Sequence, residues 1–88
     1  MDKSLINDME LCYKQIKEAR DKIANTKFAM NTKKPELWEE ATGTVDAKKD
    51  YIKSQLANEI KEISLLESEI EWYNNQIELL TWKMMSDE

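Results

Sequence analysis

The chain has 88 residues, of which 35% are charged and 41% are hydrophobic, and its formal net charge is -5. It contains one cysteine, one glycine, one proline and no histidine. These counts exclude an intramolecular disulfide, an imidazole metal site, imidazole acid–base chemistry and a glycine-rich phosphate loop. We therefore expect one small domain over residues 1–88, with no catalytic residues, no metal site and no cofactor, which binds rather than catalyses.

The apolar residues of the first third are spaced alternately by four and three positions, as in one helix of a coiled coil. This first seam contains Leu5, Met9, Cys12, Ile16, Ala19, Ile23 and Met30. Because neither Gly nor Pro interrupts residues 4–30, the pattern predicts a helix there. Cys12 lies on the seam, so we interpret it as a small core residue.

The segment that follows carries signals for a break between helices. Pro35 suits the first turn of a new helix better than a helix interior, so we predict a short helix over residues 35–41. Gly43 is expected to end it in a left-handed conformation, and Thr44 is expected to cap the next helix.

A second seam predicts one continuous helix over residues 45–85. It consists of Val45, Lys49, Ile52, Leu56, Glu59, Ile63, Leu66, Ile70, Tyr73, Ile77, Leu80 and Met84. Lys49 and Glu59 are its polar members, and polar residues in such a seam often fix the register of a coiled coil.

The two seams predict an all-α fold, an antiparallel coiled-coil helical hairpin with a short helix at the turn. The simplest closure places Cys12 beside Ile63 and Glu59 against Ile16, with Arg20 as the partner of Glu59. A shift by one heptad is the alternative.

In this register helix 1 ends near Ile70, so residues 71–88 have no partner within the chain. The seam nevertheless continues there through Tyr73, Ile77, Leu80 and Met84. An uncovered apolar seam favours self-association, and we expect these four residues to join two hairpins in a dimeric four-helix bundle.

A second apolar stripe runs along the same helix, roughly 130° from the seam. Its members are Leu65, Trp72, Leu79 and Trp82, and Glu69 and Glu78 lie beside them. We interpret these six residues as a binding face for a protein partner, because Trp is enriched at binding hot spots. The acidic residues would favour a basic partner. Burial of the stripe in the homodimer is the alternative.

The charge distribution disfavours nucleic acid as a ligand, since residues 59–88 hold eight acidic residues and two lysines. Charges interrupt every apolar segment and the N-terminus resembles no secretory signal, so we expect a cytoplasmic protein with no membrane span. The excess of Lys, Ile and Asn indicates a bacterial or phage origin.

We interpret the chain as a small interaction module, an adaptor or an inhibitor. Two alternatives remain open. One is an acidic phage-type inhibitor that occludes a nucleic-acid-binding enzyme, and the other is a purely structural coiled-coil spacer.

Overall fold

The computed structural model describes residues 3–86, which form three α-helices. They are α1 (Lys3–Glu40), α2 (Val45–Gln55) and α3 (Ala57–Ser86). α1 packs antiparallel to α2 and α3, and the resulting rod measures 66 × 18 × 14 Å. The expected all-α helical hairpin is confirmed. Among residues 3–86, no helix combines the length and the apolar composition that crossing a membrane requires.

The core of the rod is the line along which the two seams meet. The buried residues are Cys12, Ile16, Ala19, Ala41, Leu56, Ile63, Leu66 and Leu80. All but Ala41, in the connection after α1, belong to the heptad-spaced rows that the sequence indicates. Burial of these rows supplies the free energy that holds the helices together, because helical propensity alone is weak.

The first helix does not end at residue 30, and the separate short helix expected over residues 35–41 does not form. α1 continues to Glu40 with Pro35 inside it. Proline in a helix interior removes one backbone hydrogen bond and costs about 3 kcal/mol. The chain tolerates this cost because the seam continues beyond Pro35, where Leu37 is half-buried and Ala41 is buried.

The second helix is not continuous over residues 45–85, since it is interrupted at Leu56. The backbone there has φ -100° and ψ 12°, and the Leu56 N–H donates to the carbonyl oxygens of Ile52 and Ser54. Leu56 is also the most completely buried side chain of the described residues, with 2% exposed. The irregular backbone therefore coincides with the point at which this side chain enters the core.

The connection between α1 and α2 follows the sequence expectation. Gly43 has φ 100°, in the left-handed region that favours glycine. Thr44 caps α2, because its side-chain oxygen accepts a hydrogen bond of 3.2 Å from the Ala47 backbone N–H. Both local predictions are confirmed.

The register of the hairpin differs from the expected one. The Lys33 Nζ atom lies 3.0 Å from Oε1 of Glu59, so Glu59 pairs with Lys33 and not with Arg20 beside Ile16. Near the turn of the hairpin the Tyr51 hydroxyl donates a hydrogen bond of 3.4 Å to Oε2 of Glu40.

The new register follows from the length of α1. Partners in an antiparallel hairpin lie at similar distances from the turn, and 38 helical residues move the turn toward residues 41–44. α1 is then about 57 Å long and reaches the C-terminal part of α3. The expected overhang is therefore absent, since Asp8 and Cys12 of α1 line the same groove as Leu80 and Lys83 of α3.

The Lys33–Glu59 pair lies in the seam, where each of the two residues occupies a position that is otherwise apolar. The Glu59 side chain is 23% exposed and that of Lys33 is 54% exposed. The hydrogen bond from Lys33 lowers the pKa of Glu59, which remains ionised at neutral pH. The other carboxylate oxygen, Oε2, is buried and accepts no hydrogen bond from the described residues.

Pro35 in α1 and the interruption at Leu56 lie at the same level of the rod. The Lys33–Glu59 and Glu40–Tyr51 contacts bracket one section of it. Pro35 lies between the α1 members of these contacts, and Leu56 lies between the others. We call residues 36–55 the tip and the remainder of the rod, residues 3–34 with 57–86, the stem. The boundary between them lies at one level in both helices.

Charge exchange tests the register. Lys33→Glu and Glu59→Lys should each lower the Tm by several degrees, because each sets two like charges together in the seam. The double exchange should recover most of the loss, measured by circular dichroism melting. Combining Glu59→Lys with Arg20→Glu serves as the matched control and should recover nothing. Recovery in the control but not in the Lys33 exchange would contradict the register.

A β-branched residue at position 43 tests the turn. Gly43→Val should destabilise the fold by about 1–2 kcal/mol, because a side chain disfavours the left-handed conformation. In addition, a Cβ atom at this position would lie 3.3 Å from the Ala47 Cβ. Thr42→Val, one residue earlier at a position without positive φ, is the control. Equal urea midpoints for the two variants would refute the assignment.

Candidate protein-binding surface

A row of large apolar side chains remains exposed on the outer face of α3. We call Leu65, Trp72, Leu79 and Trp82 the tryptophan stripe. Their exposed fractions are 62%, 56%, 44% and 56% in that order. Single exposed apolar residues are common on protein surfaces, but an aligned row that includes two tryptophans is typical of an interaction site.

The spacing of the stripe explains why the hairpin leaves it uncovered. Leu65, Trp72 and Leu79 are seven residues apart, which places them above one another at intervals of about 10 Å along the helix. The seam residues of α3 face α1, so the stripe faces away from the core. One helix therefore has two apolar faces, and α1 covers only one of them.

A groove between α1 and α3 adjoins the stripe near the open end of the hairpin. It encloses about 290 Å³ and is lined by Asp8, Leu11, Cys12, Trp72, Tyr73, Gln76, Leu80 and Lys83. Trp72 belongs to both the groove and the stripe. Leu11 is 54% exposed and extends the apolar surface onto α1, while Asp8 and Lys83 contribute charges of opposite sign.

The ring of Trp72 packs against the neighbouring ring of Tyr73. Its centroid lies 4.9 Å from that of Tyr73, and the two planes meet at 84°, which is an edge-to-face contact. Tyr73 is half-buried in the seam, so its ring is held in place beside Trp72. More than half of the Trp72 side chain is nevertheless accessible to a partner.

The six residues assigned to partner binding from the sequence all lie at the surface of α3. Glu69 and Glu78 are exposed together with the four members of the stripe. Glu69 is one helical turn from both Leu65 and Trp72, and Glu78 is one turn from Trp82. Sequence reasoning missed Leu11, although an apolar residue beside the seam of α1 was a signal that could have been noted.

The four residues assigned to self-association lie in the hairpin itself. Leu80 is buried, and Tyr73, Ile77 and Met84 are half-buried. The assignment assumed that α1 ends near Ile70, and this premise is wrong because α1 extends along the whole stem. Any surface for self-association must therefore be sought outside this seam.

Cys12 has the environment of a core residue. Its side chain is buried, and burial raises the pKa of its thiol, with a further contribution from the nearby Asp8 carboxylate. A raised pKa disfavours the thiolate, which is the nucleophilic form. Residues 3–86 also contain no group of three acidic, histidine or cysteine side chains placed to hold a metal ion.

The reactivity of Cys12 should report this environment. At pH 8 the native chain should react with Ellman's reagent roughly tenfold or more slowly than the urea-unfolded chain, because the thiolate is disfavoured and shielded. Because the pKa of the native thiol is raised, the reaction rate of the native chain should rise with pH over a higher pH range than that of the unfolded chain. Leu11→Cys combined with Cys12→Ser is the control and should react rapidly. Equal native and unfolded rates for Cys12 would be inconsistent with its burial.

The candidate protein-binding surface therefore consists of the stripe, the adjoining groove and the acidic residues beside them. Comparison with protein-family models, with curated proteins and with solved structures gives no match.

Proposed function

We propose that the chain is a non-enzymatic protein–protein interaction module, an adaptor or an inhibitor, which binds through the tryptophan stripe and Leu11. The observation that carries the proposal is the 44–62% exposure of four large apolar side chains on one face of α3. Leaving them in water is unfavourable by roughly 25 cal/mol for each Å² of apolar surface, and a partner that covers them recovers this free energy.

The total surface of the chain supports the same proposal. It amounts to 6817 Å², whereas a compact monomer of 10.4 kDa would expose roughly 5400 Å². The excess arises from the rod shape, in which a helix pair is covered on one side only. A partner that packs on the exposed face of α3 would bury part of this excess surface.

The surface is also preorganised for binding. α3 is a continuous helix of 30 residues, and its seam holds it against α1 along the stem. The stripe residues therefore keep their spacing in the free chain, which reduces the conformational entropy lost on binding. Trp side chains in such rigid rows are typical binding hot spots.

The charges beside the stripe influence which partners are favoured. Glu69 and Glu78 place carboxylates next to Trp72 and Trp82, and both are exposed. Groups of positive charge on a partner would complement these positions and increase the rate of encounter.

Photocrosslinking in cells tests the proposal. The full chain would carry p-benzoylphenylalanine in place of Leu79, within the stripe, or in place of Asn74, on the opposite face of α3. We expect a covalent adduct of higher mass from position 79 and little from position 74. Equal adduct yields from the two positions, or no adduct from position 79, would reject the stripe as a binding surface.

A further inference from the structure

The tryptophan stripe has the symmetry of a surface that binds its own copy. Leu65 and Leu79 lie seven residues before and after Trp72. If a second α3 packs antiparallel with a two-fold axis at Trp72, the two Trp72 rings meet on the axis. Leu65 of each copy then faces Leu79 of the other, so the apolar side chains of the two copies lie at the same levels along the contact.

The polar row on one side of the stripe is complementary in the same arrangement. It consists of Glu62, Glu69, Gln76 and Lys83, and none of these is buried. A two-fold axis perpendicular to two antiparallel helices brings equivalent rows together. Glu62 then lies opposite Lys83 of the second copy, an ion pair, and Glu69 lies opposite Gln76, whose amide can donate to the carboxylate.

The row on the other side of Leu65, Trp72 and Leu79 is also complementary, and it includes the fourth member of the stripe, Trp82. The row consists of Lys61, Ser68, Asn75 and Trp82, all exposed. Lys61 then lies opposite Trp82 of the second copy, where an ammonium group can pack on the indole ring. Ser68 lies opposite Asn75; the Ser68 hydroxyl donates to the Ser64 carbonyl at 3.1 Å, and its oxygen can accept from the Asn75 amide.

A parallel arrangement pairs the flanking rows differently. A two-fold axis along the helices brings the row of Glu62 and Glu69 against the row of Lys61 and Ser68 of the second copy, so that Glu62 meets Lys61 and Glu69 meets Ser68. The Ser68 hydroxyl already donates to the Ser64 carbonyl, so it offers no proton to Glu69. Only the antiparallel orientation gives Glu69 a donor, the Gln76 amide, and this difference favours it.

We propose that the tryptophan stripe binds a second copy of this chain, with the two α3 helices antiparallel and a two-fold axis at Trp72. This inference rests on the proposed function, because it names the partner of the same surface. The contact uses the outer face of α3, and the seam residues Tyr73, Ile77, Leu80 and Met84 take no part in it.

The size of the contact is sufficient for a small stable dimer. Residues 61–83 extend over roughly 33 Å of helix. Two tryptophans and two leucines from each copy, with their flanking rows, bury on the order of 500 Å² per copy. The total is then about 1000 Å², close to the lower limit for specific interfaces.

The first measurement is molar mass by light scattering over a hundredfold range of concentration. We expect a reversible dimer of the full chain. Trp72→Ala should raise the dissociation constant about thirtyfold or more, because the two rings meet at the centre of the contact. Phe28→Ala removes an aromatic ring that is 74% exposed on α1 and should leave the dissociation constant unchanged. A monomer at all concentrations would overturn the proposal.

Charge variants test the complementarity itself. Lys83→Glu should raise the dissociation constant roughly tenfold, because it places an acidic side chain opposite Glu62 of the other copy at both ends of the contact. Adding Glu62→Lys to the same chain restores both ion pairs and should recover most of the affinity. Absence of recovery, in chains whose circular dichroism is unchanged, would refute this pairing.

Disulfide crosslinking determines the orientation. In chains with Cys12→Ser, we expect Leu65→Cys to link to Leu79→Cys after the two variants are mixed. Leu65→Cys alone should link poorly, because its equivalent lies about 21 Å away along the contact. Efficient linking of Leu65→Cys to itself would indicate a parallel dimer and overturn the geometry.

The outcomes distinguish the two proposals. A photoadduct at position 79 with the mass of two chains supports both of them. An adduct with a different protein, from a chain that is monomeric in solution, retains the interaction module and overturns the second copy as its partner. Absence of any adduct, together with a monomer, rejects both.

Discussion

The ion pair between Lys33 and Glu59 is the interaction on which the arrangement of the hairpin depends. Each residue occupies a seam position that would otherwise be apolar, and their side chains meet at 3.0 Å. Sliding the helices by a heptad would set Lys33 against Ile52 or Leu66 and Glu59 against Thr26 or Glu40, so neither charge would keep an opposite partner. The pair therefore contributes more to the choice of register than to net stability. Its position brings the N-terminal part of α1 against the C-terminal part of α3 and creates the groove beside Trp72.

Features set by nearby residues could be predicted from the sequence, whereas the register could not. The seam spacing indicates the helices, and Gly43 with Thr44 indicates the turn, because these signals act within a few residues. The register required a choice between Arg20 and Lys33 as the partner of Glu59, and both are basic residues on α1. Pro35 biased that choice, since it suggested an end to a helix that burial of Ala41 in fact maintains beyond it. The interruption at Leu56 has no local signal, because neither Gly nor Pro lies near it in the sequence.

The two apolar faces of α3 have different physical roles. The seam is spaced for a close neighbour, with two apolar positions in each heptad, and α1 fills it. The stripe has one large residue in each heptad until Trp82, and polar residues separate its members. Such a row is weaker than a seam and depends more on its flanking charges for orientation. The sequence indicated this face because the spacing alone sets it apart from the seam, and a change of register does not move it.

The coincidence of Pro35 and Leu56 at one level of the rod divides it into two mechanical segments. A paired helical rod resists bending through the unbroken hydrogen-bond ladders of both helices. Here both ladders are interrupted within the same short section, so bending stiffness is lowest there. The tip carries Trp38, with the Lys48 ammonium 4.6 Å from its ring centroid, and a bend at this joint would move it as a unit. The tryptophan stripe lies wholly on the stem, so that tilting at this joint leaves the geometry of a complex at the stripe undisturbed.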